Sequence, residues 1–264
     1  ASGGSQPWQR LLQARELGIG GLLLLLAIFM TFRNDAFLTP GNVLDIGMDS
    51  SVLVLIAIGM MAVILTGGID ISMGSTMALS GMTVGLLVMN FPAIPVPLAL
   101  VIGISVGSLA GAVNGGLVVL GKVPPVIATL GTMSVFRGLT FILCYAFNQG
   151  KSVSADRLPT EFKAFTRIEI LGVPSLIWIA ILATLFFYYL LSHTITGRKI
   201  YAVGSNAQAA RLAGIGVGKV TFLSYLLAGA LAGAGGVLWA SRYASAESSA
   251  AMGFEFVAIT AVVL

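Results

Sequence analysis

Charged side chains are scarce in this 264-residue chain: Asp, Glu, Lys and Arg make up 9% of it, against roughly a quarter in an ordinary soluble domain. Hydrophobic residues make up 57%, and the mean hydropathy is +1.00. A soluble domain of this size could not solvate such a surface, so the composition predicts an integral membrane protein. It excludes a disordered chain and a nucleic-acid-binding module, and the net charge of +4 indicates only basic loops beside a membrane.

Cysteine and histidine are almost absent, with one residue of each. Cys144 therefore cannot form a disulfide within the chain, and a lone His193 offers no set of metal ligands. Residues 103–107 match the serine motif of hydrolases, but they lie inside an apolar helix and lack the strand that this motif requires. The residues before Lys219 depart from a phosphate-binding loop. We therefore expect no enzyme activity, no metal and no cofactor on this chain.

Long apolar runs predict an all-α fold, a polytopic bundle of transmembrane helices. A spanning helix takes about 20 residues, and the high glycine content fits closely packed helices better than a β-barrel. We expect a single transmembrane domain over residues 1–264, with an interfacial anchor over residues 1–17. About eight spans are predicted, at residues 17–32, 50–66, 73–90, 96–120, 125–147, 173–191, 220–240 and 254 onward.

Glycine spacing indicates how some of these helices pack. Four glycines recur every four residues in one predicted span, and two recur in a later span: Gly103, Gly107, Gly111, Gly115, and Gly229, Gly233. This spacing places them on one helix face, where a neighbouring backbone can approach closely.

Strongly polar residues inside an apolar bundle are the main functional candidates, because they are costly at membrane depth. One span ends at Thr66, and two glycines followed by Asp70 and Ser72 lead into the next. These residues can cap the next helix, or the break can face a water-filled path, and both interpretations stay open. Other candidates in or near the spans are Asn114, Thr129, Thr132 and Arg137. A buried guanidinium needs a partner, and Asp70 is one possibility for Arg137.

Loop 192–219 holds basic residues and no acidic ones. Ser205 and Gln208 have the form of a capping box, and Gly214 is a typical C-terminal stop. The pattern predicts a helix of about eight residues over 206–213. Such a helix can lie on lipid headgroups or bind a partner protein, and the residues alone leave both open.

Several motifs, taken in order, resemble the ribose-type permease family of bacterial ATP-binding-cassette importers. They are residues 64–75, residues 128–133 with 136–138, and residues 196–215; residues 253–264 are similar to the start of a later motif. The resemblance covers residues 36–264. It implies about ten spans in the full protein, so that we expect this chain to be truncated at its C-terminus, with about eight spans present.

The resemblance implies a permease for a monosaccharide or related small polyol of the ribose, xylose, galactose, rhamnose or autoinducer-2 class. Its implied partners are a cytoplasmic ATPase that binds ATP and magnesium, a periplasmic sugar-binding protein, and a second permease subunit, identical or related. It places the protein in the bacterial inner membrane, with the N-terminus and loop 192–219 on the cytoplasmic side. The choice of sugar and of homodimer or heterodimer stays open.

Roles for individual residues follow from the same resemblance. The residues that we expect along the substrate path are Thr66, Asp70, Ser72, Asn114, Thr129, Thr132 and Arg137. The residues that we expect to couple the permease to the ATPase are Gly197, Arg198, Asn206, Ala210, Arg211 and Gly214. The alternative from another class is an ion-coupled secondary transporter with Asp70 as the coupling carboxylate.

Overall fold

The computed structural model describes residues 15–148, 150 and 152–264, so most of the predicted anchor over residues 1–17 lies outside the described residues. Eleven α-helices occur in this part of the chain. Their bounds are α1 Arg15–Arg33, α2 Pro40–Ile64, α3 Met73–Asn90, α4 Val96–Val119, α5 Pro125–Asn148, α6 Thr160–Ala164, α7 Ser175–His193, α8 Ile195–Ser205, α9 Ala207–Leu212, α10 Val217–Arg242 and α11 Phe254–Val263.

Two pairs of short strands accompany the helices. Strand β1 (Ser152–Val153) pairs antiparallel with β4 (Ala246–Glu247), and β2 (Glu169–Ile170) pairs antiparallel with β3 (Val173–Pro174). The β1–β4 pair joins the segment that follows α5 to the segment that follows α10.

The described residues form two compact units, one from residues up to Gly47 together with Leu264, and one from Met48–Val263. The first unit contains α1, most of whose side chains are exposed and apolar. After α1, the side chain of Asn34 accepts a hydrogen bond from the amide of Ala36 at 3.0 Å and so fixes a turn. The second unit contains the remaining helices from Met48 onward and all the candidate site residues.

The predicted all-α polytopic fold is confirmed. Helices lie at all eight predicted places, with bounds that differ by at most three residues except at α2, which begins at Pro40 instead of residue 50. Asn42, Asp45 and Asp49 concealed this start, because they interrupt the apolar pattern. Proline at the first helical position fits a helix start, since its missing N–H would have no partner there.

Five of these eight helices are long and apolar enough to cross a membrane: α2, α4, α5, α7 and α10. Helices α1 and α11 contain shorter apolar stretches, at Gly18–Arg33 and Phe254–Val263. Helix α3 has 18 residues, most of them buried, and carries several Ser, Thr and Gly residues. Its neighbours are other helices and not lipid, so it does not need the hydropathy of a lipid-facing span.

Helices α4 and α10 meet along the predicted glycine face, which confirms that prediction. A Cβ atom added at Gly107 would overlap the carbonyl oxygen of Gly229, and one added at Gly233 would overlap the carbonyl oxygen of Gly103. We call this contact between the two backbones the α4–α10 seam. From α3, the hydroxyl of Ser80 lies 2.8 Å from the oxygen of Gly233 and 3.1 Å from that of Gly103, which ties a third helix to the seam.

The seam predicts that two alanine substitutions in α4 have very different effects on the free energy of unfolding. We expect Gly107→Ala to lower the free energy of unfolding by about 1–3 kcal/mol, because the added methyl group cannot enter without separating the helices. Gly116→Ala is the matched control, since nothing lies within 4 Å of a Cβ there, and alanine favours a helix by roughly 0.5–1 kcal/mol over glycine. Thermal unfolding of the purified chain in detergent measures both, and equal midpoints would contradict the close contact.

Candidate functional site

The connection between α2 and α3 is a short break in the helical chain at residues 65–72. The amide of Gly67 donates to the carbonyl of Ile64 at 2.9 Å, and that of Gly68 donates to Val63 at 3.1 Å, which closes the end of α2. Gly67 has φ +81°, a left-handed conformation that glycine adopts without strain. The hydroxyl of Thr66 donates to Val63 as well, at 2.9 Å.

Asp70 is the buried carboxyl group of this break, with 2% of its surface exposed. Its Oδ1 atom accepts hydrogen bonds from the Ser72 amide at 2.9 Å and from the Ser72 hydroxyl at 2.6 Å. Neither Asp70 nor Ser72 caps α3 through its side chain. Ser72 occupies the N-cap position, but its side chain accepts no hydrogen bond from the first turn of α3. Asp70 accepts a hydrogen bond from the amide of Ser72 itself.

Asn114 of α4 connects the break to a second helix. Its side-chain amide donates to the Ser72 hydroxyl at 2.7 Å and to Asp70 Oδ2 at 3.2 Å. Its carbonyl accepts a hydrogen bond from the Thr132 hydroxyl of α5 at 2.6 Å. The hydroxyl of Thr129, one turn earlier in α5, lies 3.0 Å from the Pro125 oxygen and 3.3 Å from the Ile69 oxygen. Helices α4 and α5 are thus both joined to the α2–α3 break.

Five of the seven residues predicted for the substrate path therefore lie in one cluster, which we call the Asp70 network: Asp70, Ser72, Asn114, Thr129 and Thr132. Every member is buried. Hydroxyl, amide and carboxylate groups satisfy one another in it, as polar groups away from water must. The network contains hydrogen-bond donors and acceptors and a single ionisable group.

Thr66 and Arg137 lie outside the network. The guanidinium of Arg137 donates to the backbone oxygens of Ser248 and Ala250, both at 2.8 Å. Its partners are thus in the segment between α10 and α11, and not Asp70, which was considered from the sequence. These hydrogen bonds from a charged donor tie the segment to α5.

Two buried residues were missed from the sequence. Glu255 at the start of α11 is 5% exposed, lies close to Gly74 of α3 and interacts electrostatically with Arg137. Tyr225 of α10 is fully buried, and its hydroxyl lies against Gly68. An acidic residue at the start of the last apolar run was a usable signal for Glu255. Nothing local marks Tyr225, since its position depends on the seam.

The predicted coupling loop contains two helices instead of one. Helix α8 (Ile195–Ser205) was missed, because its glycines and basic residues resemble a loop. The prediction for the second helix was wrong in two details: α9 has six residues, and its N-cap is Asn206. The side chain of Asn206 accepts from the amides of Gln208 and Ala209 at 3.0 Å, while Ser205 ends α8. Gly214, with φ +78°, follows α9, as expected of a C-terminal stop.

The two helices divide the predicted coupling residues between an inner and an outer face. Ala210 is 4% exposed and packs in a small core with Leu191, Ile200, Val203 and Val220. The outer face presents exposed side chains, and Leu212 on it is 92% exposed. The predicted coupling residues on that face are Arg198, Asn206, Arg211 and Gly214. Gly197 is buried beside the carbonyl of Leu191.

In the part of the chain that the structure describes, no three His, Cys, Asp or Glu residues lie together as metal ligands. A groove of about 500 Å³ opens between α3, α4 and α5, at the end of α3 away from the Asp70 network. Its walls are mostly apolar side chains, including Leu86, Phe91 and Phe147. It offers few hydrogen-bonding groups and is a poor fit for a polyol.

The Asp70 network predicts a large cost for removing its central amide. We expect Asn114→Leu to lower the free energy of unfolding by about 1–3 kcal/mol or more, because Asp70, Ser72 and Thr132 each lose a partner in a buried site. Ser105→Ala is the control on the same helix, since that exposed hydroxyl bonds only its own helix at 2.8 Å. Chemical or thermal unfolding in detergent measures the stability of both variants. Equal stability would contradict a stabilising role for the hydrogen bonds of Asn114.

Comparisons with known sequences give a family profile and several similar proteins. Residues 42–264 match the profile of a family described as branched-chain amino acid transport system / permease component. The chain is 40% identical over 249 residues to the ribose import permease protein of Escherichia coli (strain K12), covering 92% of this chain and 74% of that protein. It is 38% identical over 243 residues to the ribose import permease protein of Bacillus subtilis (strain 168), covering 92% and 73%.

A third relative has a different named function. The chain is 35% identical over 256 residues to the autoinducer 2 import system permease protein of Enterobacter sp. (strain 638), covering 96% of this chain and 72% of that protein. No solved structure gives a significant match.

Proposed function

The chain belongs to the branched-chain amino acid transport system / permease component family, as a ribose-type sugar permease, and from this we propose that it carries a neutral monosaccharide or related small polyol across the bacterial inner membrane. Relatives named for import of ribose and of autoinducer 2 support this substrate class. Partner ATPase subunits, which bind ATP and magnesium, supply the energy by hydrolysing ATP.

The observation that carries the proposal is the composition of the Asp70 network. It joins a break between two helices to α4 and α5 through hydroxyl and amide groups, and Asp70 is its single ionisable member. Neutral polyols are held by hydrogen bonds and not by charge. In the structure these groups bond one another, so a sugar hydroxyl can replace an existing hydrogen bond without leaving a buried group unpaired.

The outer face of α8 and α9 is the proposed site for the ATPase. It carries Arg198 and Arg211, and loop 192–219 contains no acidic residue. Burial of Ala210 and Val203 fixes the two helices to the ends of the spans, so a force on the outer face is transmitted to them. In this proposal, loop 192–219 and the N-terminus lie in the cytoplasm.

The remaining partners belong to the same proposal. A periplasmic sugar-binding protein delivers the substrate at the opposite side, which includes the segment between α5 and α7 and the β1–β4 pair. A second permease subunit, identical or related, completes the translocation path. Residues of the Asp70 network, together with Thr66 and Arg137 outside it, are proposed to lie beside that path.

Reconstitution separates this proposal from ion-coupled transport by Asp70. We expect sugar uptake into proteoliposomes with the ATPase and binding protein to stop when ATP hydrolysis is inactivated, and an ion gradient alone to drive none. Asp70→Asn retains one hydrogen-bond acceptor, so ATP-driven uptake should persist at a reduced rate, whereas Asp70→Ala should reduce it further. Gradient-driven uptake without the ATPase, abolished by Asp70→Asn, would contradict the proposal.

Charge reversal tests the proposed ATPase site. We expect Arg211→Glu to weaken ATPase binding by roughly tenfold or more, because an acidic group replaces a basic one on the proposed contact face and changes the charge that this face presents to the ATPase. Arg157→Glu makes the same change in charge at an exposed residue of the segment proposed to face the periplasm, and it should leave ATPase binding unchanged. Co-purification and titration of the ATPase measure both variants, and equal binding by Arg211→Glu and the unmodified chain would remove this site from consideration.

A further inference from the structure

The last turn of α8 lies directly against the end of α2. A Cβ atom added at Gly204 would overlap the carbonyl oxygen of Leu65, so the two backbones meet without a side chain between them. Met61 and Leu65 pack against the small core formed by Ile200, Val203 and Ala210. The contact is therefore the point where the proposed ATPase-binding helices reach the chain that leads to Asp70.

The residues after Leu65 form a short connection to the Asp70 network. Gly67 adopts its left-handed conformation two residues later, and Asp70 follows after three more. The backbone oxygen of Ile69 lies 3.3 Å from the Thr129 hydroxyl, so the connection is tied to α5 before it reaches Asp70. A displacement of Leu65 is thus passed to the network over five residues of backbone.

A second close contact holds the other side of this connection. A Cβ atom at Gly68 would lie 2.6 Å from the hydroxyl oxygen of Tyr225. This hydroxyl has no hydrogen-bond partner among the residues that the structure describes. The connection therefore runs between α8 at Gly204 and α10 at Tyr225, and glycine allows the close approach at both places.

We infer that Gly204 is a positioning residue for transport: through Leu65 it transmits the displacement of α8 and α9 to the α2–α3 break and so to the Asp70 network. The part that concerns ATP-driven displacement rests on the proposed function. The contact has no side chain on the glycine side, so no rotamer change can absorb the movement. Packed interfaces of this kind transmit small shifts instead of deforming continuously.

Hydrogen exchange of the purified full chain tests the linkage without the ATPase. We expect Gly204→Ala to speed amide exchange in residues 66–76 by roughly fivefold or more, and to leave residues 224–238 of α10 unchanged. Gly216→Ala is the matched control from the same loop, since its Cβ would lie 3.6 Å from the nearest atom and its φ is −71°. The linkage between Gly204 and the α2–α3 break would be overturned if Gly204→Ala and Gly216→Ala exchanged equally fast in residues 66–76. It would also be overturned if Gly204→Ala exchanged faster throughout α10.

The complete transporter supplies the second readout. We expect the transporter that contains Gly204→Ala to bind the ATPase, and the ATPase to hydrolyse ATP at its basal rate, while at least about fivefold less sugar is imported per ATP hydrolysed. A merely destabilised permease would lose ATPase binding and transport together, and that result would overturn the inference. The inference would also be overturned if the variant imported as much sugar per ATP hydrolysed as the unmodified transporter. If the unmodified chain bound no ATPase, the proposed function would fail, while the exchange experiment would still decide the linkage.

Discussion

The approach of two backbones along the α4–α10 seam is the constraint on which the polar centre depends. Asn114 lies between two glycines of the α4 repeat, and Tyr225 lies beside Gly111 across the seam. The short distance between the helices therefore sets where the Asn114 amide and the Tyr225 ring stand. A larger side chain at the seam would move both away from the α2–α3 break, and the Asp70 network would lose its central member.

The network itself shows how a chain with so few charges keeps polar groups at its centre. Hydrogen bonds run from Thr132 to Asn114, from Asn114 to Ser72, and from Ser72 to Asp70. The first two steps join α5 to α4 and α4 to the α2–α3 break, and the third lies within that break. A buried carboxylate is costly when unpaired, and here its two oxygens accept from a backbone amide, a hydroxyl and an amide side chain. The polar centre and the helix arrangement therefore stabilise each other.

The sequence predicted the features that repeat along one helix and missed those that depend on distant segments. Apolar runs located the spans, and four-residue spacing located the glycine faces of α4 and α10, since both patterns are local. Helix α8 escaped prediction although its buried residues Gly197, Ile200 and Val203 recur every three residues, because its glycines and basic residues resemble a loop. Asn206 and Ser205 are both good N-caps, and the backbone conformation that decides between them comes from α8. The partners of Arg137 lie more than a hundred residues away.

The four-residue repeat has a consequence for the register of α4 on α10. A slide of one helical turn, about 5.4 Å, would bring another glycine of α4 opposite the same glycine of α10, so the backbones alone distinguish poorly between neighbouring registers. The Ser80 hydroxyl does distinguish them, because it bonds the carbonyls of Gly103 and Gly233 together. One hydroxyl on a third helix thus fixes the register of α4 on α10, which the glycine contacts alone would leave nearly undetermined.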